Sequence, residues 1–147
     1  MNAIEFLKKE HEKAKAAFKE IEQASGDQRR QLWAKLAPEL KLHEQLEADC
    51  FYGPLASEAG RRDQTLASWA REHEQEVREA EGMIAKVSGA SPSDPRWLDT
   101  LRQLKSALEQ HIQKEEGEIW PKARNVWDEA RLDQAGRQME QRHQQAA

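Results

Sequence analysis

Apolar residues recur along most of this chain in alternating steps of three and four positions, which is the spacing of one helix face. Four segments carry such a stripe, and none shows the strict alternation of a β-strand. The stripes cover residues 4–21, 32–50, 66–87 and 98–118. The pattern therefore predicts an all-α protein with four principal helices.

Breaks between the stripes set the expected helix ends. The predicted boundaries are Ser25-Gly26-Asp27, Gly53-Pro54 or a point before Gly60, Ser88-Gly89, and Trp120-Pro121. Ser93 or Asp94 is a candidate N-cap for the fourth helix, with Pro95 in its first turn. Pro38 lies inside the second stripe and predicts a kink or a new helix start.

A single domain over residues 1–147 suits this length, since 147 residues bury one good core but not two. Short connections between helices favour an up-down-up-down antiparallel four-helix bundle. Residues 122–141 are predicted to form a short C-terminal helix or tail with a packing role only.

Composition and charge narrow the possible partners. Charged residues make up 34% of the chain, and the net charge of −4 comes from mixed signs along the helices. Nucleic acid is not an expected partner, because a one-sided basic face is missing. The sequence also lacks an apolar run long enough for a membrane span, which predicts a cytoplasmic protein. The expected oligomeric state is a monomer or a homodimer.

Cys50 is the single cysteine and receives no catalytic role, and His143 is expected to be solvated.

Each apolar stripe is interrupted by a histidine, and two stripes add a glutamate one turn later. These inward-facing polar residues are His11, His43, Glu47, His73, His111 and Glu115. In each His-x-x-x-Glu pair the side chains lie roughly 5 to 6 Å apart on one face, close enough to hold one cation. Burying such carboxylates without a partner would cost several kcal/mol each. A metal site explains them better than a metal-free interaction bundle, which remains the alternative.

The four histidines are expected to lie at one height in the bundle. The number of residues from each histidine to the next turn gives its distance from that turn along the helix. These distances differ by about 3 Å between His11 and His43, by roughly 6 Å between His43 and His73, and by almost nothing between His73 and His111. Four core histidines scattered at random would not be expected to meet in one layer.

The chain also contains an internal repeat. The segment from His43 to Pro54 aligns with that from His111 to Pro121, with one residue of slack, and both end in an aromatic residue near proline. Each half therefore contributes one lone histidine and one His-x-x-x-Glu pair. Two equivalent halves predict two metal ions.

These motifs resemble those of the hemerythrin-like, HHE cation-binding domains, over essentially residues 4–139. The resemblance implies that His11 and His43 bind one iron, His73 and His111 the other, and that Glu47 and Glu115 bridge both. Oxygen-carrying members have a further histidine where this chain has Val77, so reversible dioxygen carriage is not expected.

Three residues near that position are candidates for auxiliary roles. The resemblance favours Glu44 as an additional ligand, and Glu76 is a second candidate. Tyr52 is a possible hydrogen-bond donor to a bridging oxygen.

Mixed imidazole and carboxylate ligands suit iron, manganese or zinc, and the resemblance implies two iron ions with an oxo or hydroxo bridge. The Glu-x-x-His pattern of ferritin-like bundles does not occur at any of the four predicted ligand histidines. The predicted function is a non-haem di-iron protein that binds or reacts with dioxygen, peroxide or nitric oxide. If it is an enzyme, the expected activity is catalase-like or peroxidase-like. The alternative is an iron, oxygen or redox sensor, or an iron-binding module, without turnover.

Overall fold

A computed structural model describes residues 1–146, and Ala147 lies outside the described residues. Every regular element within this range is helical, which confirms the all-α prediction. The α-helices are α1 (Ala3–Gln23), α2 (Gly26–Glu47), α3 (Gly53–Ala59), α4 (Gln64–Gly89), α5 (Pro95–Lys114), α6 (Trp120–Val126) and α7 (Glu129–Ala146). Two π-helical segments, Ala48–Tyr52 and Glu115–Ile119, join α2 to α3 and α5 to α6.

Local side chains fix the beginning of α1 and the turn into α2. The Asn2 side chain accepts from the backbone N–H of Glu5, and the Glu5 carboxylate accepts from that of Asn2, forming a capping box. At the other end of α1, the Arg29 guanidinium donates to the carbonyls of Ile21 and Glu22. Gly26 has a φ of +59°, and α2 begins at this residue.

The predicted cap of α5 and the predicted break in α2 have different outcomes. Asp94 caps α5 by accepting from the backbone N–H of Arg96, and Pro95 follows in the first turn, as predicted. α2 continues through Pro38 as one helix, so no new start occurs there. Buried Leu36 and Leu40 on both sides of the proline anchor the helix against the core and offset its lost hydrogen bond.

The four long helices contact one another in a ring: α1 touches α2 and α5, and α4 touches α2 and α5. Two hydrophobic clusters fill this ring. One contains Phe18, Trp33, Ile84, Trp97 and Leu101, and the other contains Leu7, Leu46, Phe51, Leu66 and Trp120. Along each helix the predicted histidine falls between residues of the two clusters, so the polar layer separates them.

The C-terminal region is more extensive than the predicted short helix or tail. After the short α6, α7 runs for 18 residues and packs along α1 with Leu132, Ala135, Gly136 and Met139 buried. At Gly136 the two backbones come so close that a Cβ atom would lie 2.2 Å from the Met1 carbonyl oxygen. The apolar positions in this segment are sparse, which is why its pattern alone underestimated the helix.

None of the helices in residues 1–146 combines the length and apolar character that a bilayer crossing requires.

Candidate metal centre

Helices α1, α2, α4 and α5, with the π-helical segment that follows α5, bring all seven predicted metal-site residues into one buried layer. Each residue is 9% exposed or less: His11, His43, Glu44, Glu47, His73, His111 and Glu115. Glu47 and Glu115 are fully buried. Seven polar side chains buried together require partners, because burial removes most of their contact with water.

The layer divides into two groups of potential metal ligands, and within each group the donor atoms lie within 4.8 Å of one another. The first group consists of His11, His43, Glu47 and Glu115. The second consists of Glu44, His73 and His111. Imidazole nitrogens and carboxylate oxygens are donors for iron, manganese or zinc.

The carboxylate of Glu47 lies between the two groups. Its Oε1 atom contacts Nε2 of His43 and lies 3.9 Å from Nε2 of His11. Its Oε2 atom lies 3.6 Å from Nε2 of His73 and 3.3 Å from Nε2 of His111. Each oxygen of this carboxylate therefore faces one pair of imidazoles.

Glu115 spans the layer in the same way. Its Oε1 atom lies 3.0 Å from Nε2 of His11, and its Oε2 atom lies 3.3 Å from Nε2 of His111. The Tyr52 hydroxyl donates to Oε2 over 2.7 Å, which holds the carboxylate in this orientation. The two glutamates thus have the arrangement that bridging carboxylates need.

Several of these atoms approach one another without forming hydrogen bonds. Five of them are buried and have no hydrogen-bond partner among residues 1–146: Nε2 of His11, His43 and His73, and Oε1 of Glu47 and Glu115. Unsatisfied buried polar atoms are rare in folded proteins. Their lone pairs converge on shared space, so the donor set fits bound cations.

Glu44 and Glu76 have different relationships to the layer. Oε2 of Glu44 lies 3.1 Å from Nε2 of His73, on the inner side of that imidazole. Glu76 instead lies 2.6 Å from Nδ1 of His111, on the opposite side of the ring from Nε2. Glu44 therefore belongs to the second group, while Glu76 contacts His111 from outside the layer.

Aromatic rings pack against two of the imidazoles. Trp120 stacks on His11 with 5.2 Å between ring centroids, and Tyr52 stacks on His73 at 4.2 Å. Both aromatic residues follow a predicted glutamate in the internal repeat. Nothing in the residue pattern placed Trp120 against His11, because a tryptophan at such a position is usually only part of the core.

The two π-helical segments lie next to the glutamates in both halves of the repeat. One begins immediately after Glu47, and the other begins at Glu115 itself. Pro54 and Pro121 follow these segments, and each lacks the N–H that a regular α-helical bond would need. The different starting points absorb the one-residue slack in the repeat, and π-helical turns of this kind are frequent at functional sites.

Without a cation, opposite charges inside the layer shift the protonation of its members. Burial lowers the pKa of His11, but the carboxylates of Glu115 and Glu47 outweigh burial and raise that pKa to about 9. The carboxylates raise the pKa of the other imidazoles for the same reason: His43, His73 and His111. Burial raises the pKa of Glu47, but the surrounding imidazoles, His43 foremost, hold it well below the ordinary value.

His143 is less solvated than predicted. This residue packs edge-on against Phe6, and its Nε2 lies 2.9 Å from Oε2 of Glu39, so the side chain is only 27% exposed. The sequence could not show this contact because it depends on the docking of α7. Cys50 is buried, and burial raises its thiol pKa, which disfavours the reactive thiolate form.

Comparisons with known proteins point to one family. A family model for the hemerythrin HHE cation-binding domain matches residues 2–123. A solved structure of a hemerythrin HHE cation-binding domain-containing protein from Mycobacterium kansasii is 26% identical, with a TM-score of 0.81. The similarity covers 99% of this chain and 87% of that chain.

A DNA nickase of Nostoc sp. (strain PCC 7120) is 25% identical over 126 residues, or 85% of this chain. The match covers 34% of the nickase, so this chain spans about a third of that relative's length.

Proposed function

We propose that this chain, which belongs to the hemerythrin HHE cation-binding domain family, holds two iron ions and reacts with a small oxidant. The observation that carries the proposal is a group of buried ligand atoms without hydrogen-bond partners among residues 1–146, namely Nε2 of His11, His43 and His73, and Oε1 of Glu47 and Glu115. With neither a proton nor a cation between them, these atoms would cost about 1 to 3 kcal/mol each, so bound cations stabilise the layer wherever the imidazoles are neutral.

The proposed ligands follow the two groups of the layer. His11 and His43 would hold one ion, and His73, His111 and Glu44 would hold the other. Glu47 and Glu115 would contribute to both sites, because each carboxylate directs one oxygen to each side. The same residues would also accept manganese or zinc, so iron is the part of the proposal that metal analysis tests most directly.

Two bound iron ions would supply reversible one-electron chemistry and a Lewis-acid site to peroxide, dioxygen or nitric oxide. The protein's own residues position and shield that chemistry. Tyr52 donates to Glu115 and keeps its carboxylate oriented, and Trp120 covers one face of His11. Glu76 contacts Nδ1 of His111 and thereby fixes the direction of Nε2.

Peroxide decomposition fits this ligand set better than reversible dioxygen carriage. The position of the further histidine found in oxygen carriers is Val77, and Glu44 from α2 stands beside His73 instead. A carboxylate ligand favours the ferric state more than imidazole does, which opposes simple release of dioxygen. We therefore propose a catalase-like conversion of two hydrogen peroxide molecules to two waters and one dioxygen.

A sensor or iron-binding module without turnover is the second candidate. It is favoured by the origin of the ligands on four separate helices, which couples metal binding to the packing of the whole ring. In that case an oxidant would change the stability of the helix ring but would not be consumed repeatedly.

The decisive experiment is metal analysis of the purified protein after anaerobic loading with ferrous iron, followed by exposure to hydrogen peroxide. Two irons per chain and repeated dioxygen release with retained iron would support the enzyme. Two irons with a single oxidation and no turnover would support the sensor. Failure to bind iron, with no change in thermal stability on adding it, would overturn both.

The proposal extends to the topology, location and oligomeric state of the protein. We propose that the helix ring is an up-down-up-down antiparallel bundle, and that it forms one cytoplasmic domain that is a monomer or a homodimer. The nicking activity named for the Nostoc relative is not extended to this chain, whose net charge of −4 is spread in mixed signs. We expect no relaxation of supercoiled plasmid by the iron-loaded protein.

A further inference from the structure

Two cavities of similar size approach the metal centre from different sides. The first, of about 340 Å³, lies along α1 and α2, and its lining includes His11 and His43. The second, of about 330 Å³, lies between α2, α4 and α5, and its lining includes Glu44 and His111. Each cavity therefore reaches only one ligand group.

The first cavity is far larger than a dioxygen or hydrogen peroxide molecule requires. Its wall carries aliphatic side chains, namely Ala14, Ala17, Leu32, Leu36, Leu40 and Leu108. An apolar cavity of about 150 Å³ can hold benzene, so this one has room for roughly a dozen heavy atoms. Its size falls at the lower end of the range for ligand pockets, about 300 to 1,000 Å³.

Charged residues around the first cavity do not favour an ionic ligand. They include both signs: Lys13, Lys35, Glu10, Glu20, Glu39 and His143. Two contacts already join members of this set, because His143 lies 2.9 Å from Glu39 and Lys13 lies 3.5 Å from Glu10. An uncharged ligand would leave these contacts intact.

The metal-centre residues that line the two cavities differ in chemistry. The first cavity meets the imidazoles of His11 and His43 and no carboxylate of the centre. The second meets Glu44 and also Glu76, whose carboxylate lies 2.6 Å from Nδ1 of His111. The electron-rich oxygens of a peroxide are therefore better accepted on the imidazole side.

We propose that the first cavity binds an uncharged organic hydroperoxide with an apolar body, such as cumene hydroperoxide, with its O–O end next to His11 and His43. This substrate class rests on the proposed function. In the reaction the O–O bond breaks, one oxygen leaves as water, and the other remains in the product alcohol. Two electrons and two protons come from an enediol reductant such as ascorbate, which becomes its dehydro form.

The test pairs a variant in the first cavity with a matched variant in the second. Ala17→Leu fills the first cavity, and Ala107→Leu adds the same side chain beside the second. Binding of the product, 2-phenylpropan-2-ol, is measured by calorimetry on both metal-free and iron-loaded protein. We expect Ala17→Leu to weaken binding by roughly ten-fold or more, and Ala107→Leu to change it by less than about two-fold.

Turnover supplies the second measurement. In Ala17→Leu, reduction of cumene hydroperoxide with ascorbate should fall by roughly ten-fold, while hydrogen peroxide decomposition stays within about two-fold of wild type. Thermal unfolding of both variants checks that each remains folded.

Different failures have different meanings. Normal iron content and hydrogen peroxide decomposition without alcohol binding would overturn the cavity assignment and leave the proposed function standing. Tighter binding of decanoate than of the alcohol would overturn the uncharged ligand class. Weakening by Ala107→Leu alone would overturn the choice of cavity. If the iron-loaded wild-type protein turned over no peroxide at all, the proposed enzyme activity would be overturned, and the hydroperoxide assignment with it.

Discussion

Raising the pH from 6.5 to 8.5 should destabilise the metal-free protein, and His11 provides the magnitude. Its pKa is about 9 in the folded protein, compared with the ordinary value of 6.5 in the unfolded chain. A histidine whose pKa is raised by folding contributes stability that is complete below the unfolded pKa and is lost as pH rises through the folded pKa. The full contribution is about 3 kcal/mol, of which roughly 2 kcal/mol disappears between pH 6.5 and 8.5.

The other charged groups of the layer do not reverse this trend. The pKa values of the remaining three imidazoles are raised as well, so their contributions have the same sign. Glu47 has a depressed pKa, and its stabilising contribution is lost only in acid, as pH falls from the ordinary value near 4.5. It is ionised in both states throughout the window from pH 6.5 to 8.5.

The measurement is urea unfolding, followed by far-UV circular dichroism across this pH range. The loss from His11 alone, about 2 kcal/mol, should lower the midpoint by roughly 1 M urea, and the other three imidazoles add to it. His11→Gln should flatten the dependence of stability on pH by a similar amount. Iron-loaded protein should show the opposite tendency, because metal binding requires neutral imidazoles. A metal-free protein whose stability stays constant or rises over this range would refute the reasoning.

Three further variants test other parts of the structure. Gly136→Ala should destabilise the metal-free protein by about 1 to 3 kcal/mol, because the new Cβ meets backbone atoms. Its control is Gly82→Ala, which has open space around the new Cβ and should be neutral or raise the stability by up to about 1 kcal/mol. Thermal unfolding compares the two, and equal stability would contradict the close approach of α7 to the N-terminus. Tyr52→Phe should cost about 1 to 3 kcal/mol in urea unfolding by removing a buried donor to a carboxylate, and a cost below about 0.5 kcal/mol would argue against that hydrogen bond. Glu44→Gln should leave one tightly bound metal ion instead of two, and full two-ion binding by mass spectrometry under native conditions would exclude Glu44 as a ligand.

The sequence determined the four principal helices and the common height of the histidines, because both depend on local periodicity. A residue rise of about 1.5 Å and a repeat of three and four positions are enough to place His43 and Glu47 on one face, and to bring His11 opposite them. The internal repeat likewise followed from residue order alone. These features do not depend on the side-chain rotamers of the folded protein.

The tertiary structure decided which atoms face one another. Glu44 and Glu76 were both within reach of the second group by residue spacing, but packing of α2 against α4 turned Glu44 toward Nε2 of His73 and left Glu76 outside. The contact of His143 with Glu39 arises only because α7 docks along α1, where Gly136 permits the close approach. Such contacts join residues far apart in the chain, and they depend on rotamers and interhelical distances that no local pattern encodes.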